Sequence, residues 1–156
     1  VHRYDKNWLL PYYAVKGFPK FTTSMFGVPP EPPMTQLYDE VLPSPIPFPD
    51  LIRTLADSYA MVESYTLKSF GRLTIEAAVL GIPVVGSGCV ASQHTLFPDL
   101  KCSSNDPIQW RARVERLIND REFYRDCATH AMSHSELYSY SSCRNSLLKL
   151  LNDPQA

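Results

Sequence analysis

The sequence predicts an α/β chain in which parallel strands are covered by helices. Three observations carry that prediction. Ser64 to Gly88 reads in order as loop, helix, tight turn, buried strand and glycine-rich exit. Within it, Ile82-Pro83-Val84-Val85 is a short apolar run of the kind found in a parallel strand buried on both faces. Strand-like stretches fill the first part of the chain, and three helical stretches close it.

In the central stretch, Ser69, Phe70 and Gly71 lead into a helix that begins near Arg72. Gly81 ends it, because glycine readily takes the left-handed conformation of a helix stop. A loop feeding a helix N-terminus leaves backbone N–H groups at the positive end of the helix dipole, which suits a phosphate. Glu76 sits about one turn inside the helix, where a carboxylate can accept two hydrogen bonds from a vicinal diol such as a ribose. Upstream, Tyr59 to Glu63 reads as a strand delivering Ser64 and Tyr65 to the loop. Ligands of open α/β sheets bind beyond the carboxyl ends of the strands, and 64–72 lies there.

The other elements follow from local rules. Val1-His2-Arg3 reads as the tail of a strand and Tyr4-Asp5 as a turn. A helix from about Trp8 to Val15 tolerates Pro11 in its first turn. Phe21 to Gly27 reads as a strand ended by glycine. Val28 to Pro33 is Val-Pro-Pro-Glu-Pro-Pro, an extended loop, because proline lacks the N–H that helix and central strand need. Met34 to Val41 reads as a short helix or an irregular crossing, and a short strand is expected around Ser44 to Ile46. Asp50 opens a helix through about Asp57, with Leu51, Ile52 and Leu55 at helical spacing. Ala91 to Phe97 is a short helix, and Leu100 to Cys102 a short last strand. Asp106 caps a helix from Pro107 to about Asn119, whose Ile108, Val114, Leu117 and Ile118 face the core. Helices follow over Arg121 to His134 and Tyr138 to Leu151, the last packing back through Leu147, Leu148, Leu150 and Leu151.

A chain of 156 residues, 44% apolar and 20% charged, reads as one globular domain over 1–156 with a real core. A net charge of −1 with both signs interspersed gives no electrostatic reason to expect nucleic acid. No apolar run approaches the ~20 residues of a membrane span. The chain starts at Val1 without a signal-peptide pattern and without methionine, which fits an excised part of a longer protein. Cys89, Cys102, Cys127 and Cys143 form no CxxC pair and read as reduced cytosolic thiols, mostly buried.

The central motif resembles a known family. Phe70-Gly71, Glu76-Ala77-Ala78 and Gly81-Ile82-Pro83-Val84-Val85 match, in order and spacing, the nucleotide-sugar-binding half of glycosyltransferases of the two-Rossmann (GT-B) architecture, in particular the large retaining group. The likeness extends more loosely over most of the chain. It implies a Rossmann-like parallel sheet flanked by helices, one half of a GT-B enzyme, with a second, acceptor-binding domain as partner. It implies a hexosyltransferase-like activity of carbohydrate biosynthesis that uses a UDP-, GDP- or ADP-sugar with retention and without a cofactor or metal. Glu76 then binds the ribose. Backbone N–H groups near Ser69 to Arg72, with Arg3 and Lys6, hold the diphosphate. A cytoplasmic location, soluble or peripheral to the membrane, goes with this. Two positions depart from the family. Its first glutamate, which lies against the donor sugar and takes part in catalysis, is Lys68 here, and its Gly-Gly-x-x-Glu loop is absent.

Other readings remain beside it. Arg3 and Lys6 also read as solvated charges near a terminus, and Lys68 as a solvated loop lysine. Lys68 in place of glutamate fits a degenerate, non-catalytic binding module. Gly86-Ser87-Gly88-Cys89-Val90-Ala91 formally matches the dinucleotide fingerprint, with Asp106 downstream, but a true fingerprint opens the first βαβ unit. His94 projects towards the same sheet edge, as a phosphate or acceptor contact or as a plain surface histidine. Cys127, His130 and His134 share one helical face, yet the sequence supplies no fourth zinc ligand.

Overall fold

The computed structural model describes residues 9–18, 24–25, 38–42, 45–103 and 105–152. These form a mixed α/β structure of helices around a small parallel sheet. Helix α1, Leu9–Val15, buries Leu10 and Ala14, one turn apart. It rests on helix α5, Pro107–Asn119. Arg111 of α5 clamps the contact: its guanidinium stacks 4.0 Å over the Phe18 ring and donates to the Lys16 carbonyl. Helix α2, Phe48–Ala56, has Pro49 in its first turn and buries Leu51 and Leu55.

Three parallel strands make the central sheet: β3 (Met61–Glu63), β4 (Val84–Ser87) and β5 (Lys101–Cys102), in the order β3-β4-β5. Met61 pairs with Val84, Glu63 with Gly86, and Ser87 with Cys102. Strand β4 is the middle one, and all four of its residues are buried. The sheet begins at Val84 rather than Ile82, since Pro83 has no N–H; its carbonyl still accepts from Met61 N at 2.9 Å.

Between β3 and β4 runs helix α3, Arg72–Val79, pressed on the sheet through Ala77 and Ala78, both fully buried. Small side chains there let helix and sheet approach closely. The helix stops in a paired-carbonyl motif: Gly81, at φ 72°, donates to Ala78 O, and Ile82 donates to Ala77 O. After β4 come helix α4, Ala91–Leu96, and a 3-10 turn, Pro98–Leu100. Asp106 caps α5 by accepting from Gln109 N at 3.1 Å. Helix α6, Arg121–Ser135, is capped in the same way by Asp120, which accepts from Phe123 N at 2.9 Å. The core collects Trp110, Phe97, Leu55, Leu96, Leu100 and Leu117 around Val84 and Val85.

Several expectations are corrected. The Met34 to Val41 stretch does not end as helix or irregular crossing: Glu40–Val41 is strand β2, paired in parallel with β1, Ser24–Met25. Ser24 Oγ donates to Glu40 Oε2 at 2.9 Å beside that pairing. Of the strand expected near Ser44 to Ile46, Ser44 lies outside the described residues, Pro45 and Ile46 lie outside any strand, and Pro45 and Pro47 could donate nothing to a ladder. Of the strand expected over Phe21 to Gly27, only β1 falls within the described residues. The expected turns and loops at Val1 to Asp5 and Val28 to Pro33, with Arg3 and Lys6, lie outside them.

The last helix is the largest correction. Helix α7, Tyr140–Asn152, follows a 3-10 turn at Glu136–Tyr138, and none of its residues is buried. Leu147, Leu148, Leu150 and Leu151 are exposed instead of packing back on the core. Their spacing is amphipathic, but the chain's own core is already filled by α1, α5 and α6.

Candidate functional site

The loops leaving β3 and β4 lie side by side at the carboxyl edge of the sheet. They are stitched together: Ser69 N donates to Cys89 O at 3.0 Å, Ala91 N to Ser69 O at 2.8 Å, and Ser92 N to Phe70 O at 3.2 Å. Ser69 and Val90 thereby form an isolated parallel bridge. Ser92 Oγ adds a bond to Gly71 O at 2.9 Å. Among the backbone groups near Ser69 to Arg72 expected to hold a diphosphate, the Ser69 N–H already has an acceptor in Cys89 O.

Gly71 turns the chain into α3 with φ 81° and offers no side-chain cap. A Cβ there would stand 2.2 Å from Val90 Cγ1 and 2.4 Å from Ser92 Oγ, so the close loop contact itself demands glycine. The first-turn N–H groups of α3 have no acceptor within their own helix and no capping side chain. They point to the space beyond the sheet edge, with the positive end of the helix dipole.

Glu76 lies one turn further in. Its Oε1 is 3.1 Å from Arg72 Nε; the glutamate side chain is 14% exposed and the arginine 74%. Its Oε2 is buried and has no hydrogen-bond partner. Burial pushes the carboxyl above the ordinary range, and the Arg72 charge pulls it partly back. Phe70 is exposed on the rim and meets Tyr138 edge-on at 5.9 Å. Lys68 is exposed on the same loop. The structure thus gathers Lys68, Ser69, Phe70, Gly71, Arg72 and Glu76 in one loop–helix unit.

Beside the loop that leaves β4, His94 of α4 and Lys101 of β5 have partners of their own. His94 Nε2 is 2.8 Å from Gly88 O, and Lys101 Nζ is 3.3 Å from His94 Nδ1. A carbonyl only accepts and an ammonium only donates, so the neutral ring with its proton on Nε2 satisfies both contacts. His94 is therefore a brace between Gly88 and Lys101. Gly86 has a packing cause: a Cβ there would lie 2.3 Å from Gln93 Oε1. Gln93, fully buried, donates through Nε2 to Val84 O and Phe97 O. With Asp106 capping α5 rather than ending a strand, the dinucleotide fingerprint loses its structural context.

Beneath the site, Thr74 Oγ1 donates to Glu63 Oε2 at 2.6 Å, both side chains buried. The sequence signal for this pair was an acid ending an apolar strand, and a threonine one turn from Ala77 and Ala78 on the same helix face.

The face of α6 that carries Cys127, His130 and His134 is engaged within the protein. His130 Nε2 is 3.0 Å from Thr95 O of α4, and the His134 ring stacks on His130 at 4.1 Å. Among the described residues no group of three His, Cys, Asp or Glu side chains gathers as a metal site. All four cysteines are free thiols: Cys102 and Cys127 are buried, Cys89 is half-buried and Cys143 exposed.

The chain matches no protein-family model and no curated protein. Among the described residues no helix is long and apolar enough to cross a membrane. The functional reading therefore rests on the site's own geometry and on the likeness of its motif.

Proposed function

We propose that the chain is the donor-binding half of a glycosyltransferase that moves a sugar from a nucleoside-diphosphate sugar to an acceptor, with retention. The observation that carries this reading is Glu76. A carboxylate at the carboxyl edge of a parallel sheet, with a buried oxygen lacking any partner, is suited to accept the two hydroxyls of a ribose. The uncapped first turn of α3, Arg72 and Lys68 supply positive charge for the diphosphate, joined in this reading by Arg3 and Lys6. Holding that charge stabilises the nucleoside diphosphate as it leaves, which is electrostatic catalysis. The Rossmann-like architecture belongs to the same proposal: β3, β4 and β5 run parallel, and the site lies beyond their carboxyl ends.

In this reading an acceptor-binding domain completes the cleft and covers the apolar face of α7. The isolated chain then binds nucleotide without efficient transfer. The cytoplasm, or the surface of a membrane facing it, is the compartment that supplies such donors.

Calorimetric titration with UDP, GDP, ADP and NAD tests the reading. One nucleoside diphosphate should saturate the site, and Glu76→Ala should weaken the binding by about 10-fold or more. NAD binding alone would overturn the proposal.

A second reading is a non-catalytic module that keeps the fold for protein contacts. The observation favouring it is Lys68, exposed where the resembling family places its sugar-side glutamate. It predicts that Glu76→Ala leaves ligand binding unaltered.

A further inference from the structure

Arg72 and Glu76 stand one turn apart on α3, with Nε to Oε1 at 3.1 Å. The arginine pairs with Oε1, and Oε2 is closed to solvent without a partner. A diol that bonds to both oxygens of this carboxylate displaces the guanidinium from Oε1. The guanidinium is free to move, because the arginine side chain is 74% exposed and a single i,i+4 pair holds it weakly. It also sits on the first residue of α3, beside the N–H groups where an anion would settle.

We propose that Arg72 is an exchange residue: it holds Glu76 in the empty site and passes to the phosphates of a ribonucleotide when the ribose hydroxyls take its place. The inference rests on the nucleotide reading above. The exchange leaves no charge stranded. Two ribose hydroxyls donate to Oε1 and to the unpartnered Oε2, and the released guanidinium grips phosphate oxygens through two parallel N–H groups. The site then selects ligands that carry both a ribose diol and a phosphate. A bare nucleoside must break the ion pair and returns nothing to Arg72. This makes Arg72 a specificity-determining residue, acting on the ligand itself in the bound state.

Removing the arginine gives effects of opposite sign on two ligands, which a simple phosphate contact does not. The whole chain and its R72Q variant are titrated with uridine and UDP, guanosine and GDP, and adenosine and ADP. Amide chemical shifts of the Ser64 to Glu76 segment follow the binding, since they read weak affinities. Arg72 is exposed, so the substitution leaves the core untouched. For the base that binds, R72Q should weaken the diphosphate and strengthen the nucleoside, the latter by about two- to fivefold, the upper range of measured surface and i,i+4 ion pairs. Nucleoside affinity that is unchanged, lower or undetectable in R72Q overturns the exchange while the nucleotide reading stands. Failure of the wild-type chain to bind any of the three diphosphates overturns the nucleotide reading, and the exchange with it.

Discussion

Thr74 and Glu63 join the carboxyl end of β3 to the first turn of α3 by a buried hydrogen bond of 2.6 Å. Both groups are buried, so the bond is shielded from water. It fixes the start of a helix whose N-cap, Gly71, has no side chain to do so. Thr74→Val keeps the shape and deletes the donor. It should lower the unfolding free energy by about 1–3 kcal/mol, the cost of leaving a buried polar group without its partner, while Thr74→Ser keeps most of the bond. Urea unfolding of the three proteins checks this, and a Val variant as stable as wild type would show that the bond contributes nothing.

Gly71 and Gly17 make a controlled pair. Both have positive φ, 81° and 82°, but a Cβ at Gly17 meets nothing within 4 Å, whereas one at Gly71 collides with Val90 and Ser92. Gly17→Ala should cost only the left-handed strain, about 1–2 kcal/mol. Gly71→Ala should cost about 1–3 kcal/mol more, from overpacking between the two loops. Equal losses in thermal unfolding would mean that the loops are not in contact.

Much of this site was legible in the residues, and the limits were physical. Gly81 and Pro83 fix the end of α3 and the start of β4, because each has a backbone property that no other residue shares. Asp106 before Pro107 marks the start of α5 for the same kind of reason. Strand β2 was not legible: two residues pair with a segment far away in the chain, and no local periodicity encodes such a contact. Nor did the leucines of α7 say what covers them. Amphipathic spacing shows that a helix has an apolar face, not that its own chain supplies the partner. The Arg72–Glu76 spacing was visible, but the burial that leaves Oε2 without a donor depends on tertiary packing.

The exposure of α7 gives a contrast in stability. Leu148→Ser and Leu151→Ser should change the unfolding free energy of this chain by no more than about 0.5 kcal/mol, as for surface positions. Leu96→Ala, fully buried in α4, should cost about 2–5 kcal/mol. A large loss at Leu148 or Leu151 would place α7 against the core after all.

Cys102 and Cys127 predict an alkaline sensitivity. Burial pushes both thiols from 9.0 to about 11. The folded state therefore holds these protons where the unfolded chain has released them, so stability is full below pH 9.0 and declines as pH rises towards about 11. Unfolding midpoints measured across that window should fall, and the fall should shrink in a Cys102→Ala, Cys127→Ala variant. A thiol-reactive dye at pH 8 should label exposed Cys143 first.

The central claim is that Glu76 receives the ribose diol. Its most direct test compares a nucleoside diphosphate with its 2′-deoxy analogue, each titrated into the wild type and Glu76→Ala. Deleting the hydroxyl should cost wild type about 10-fold or more in affinity, the worth of a hydrogen bond to a charged acceptor, and should cost the variant nothing further. An equal penalty in both proteins would show that the hydroxyl is read elsewhere and would contradict the account.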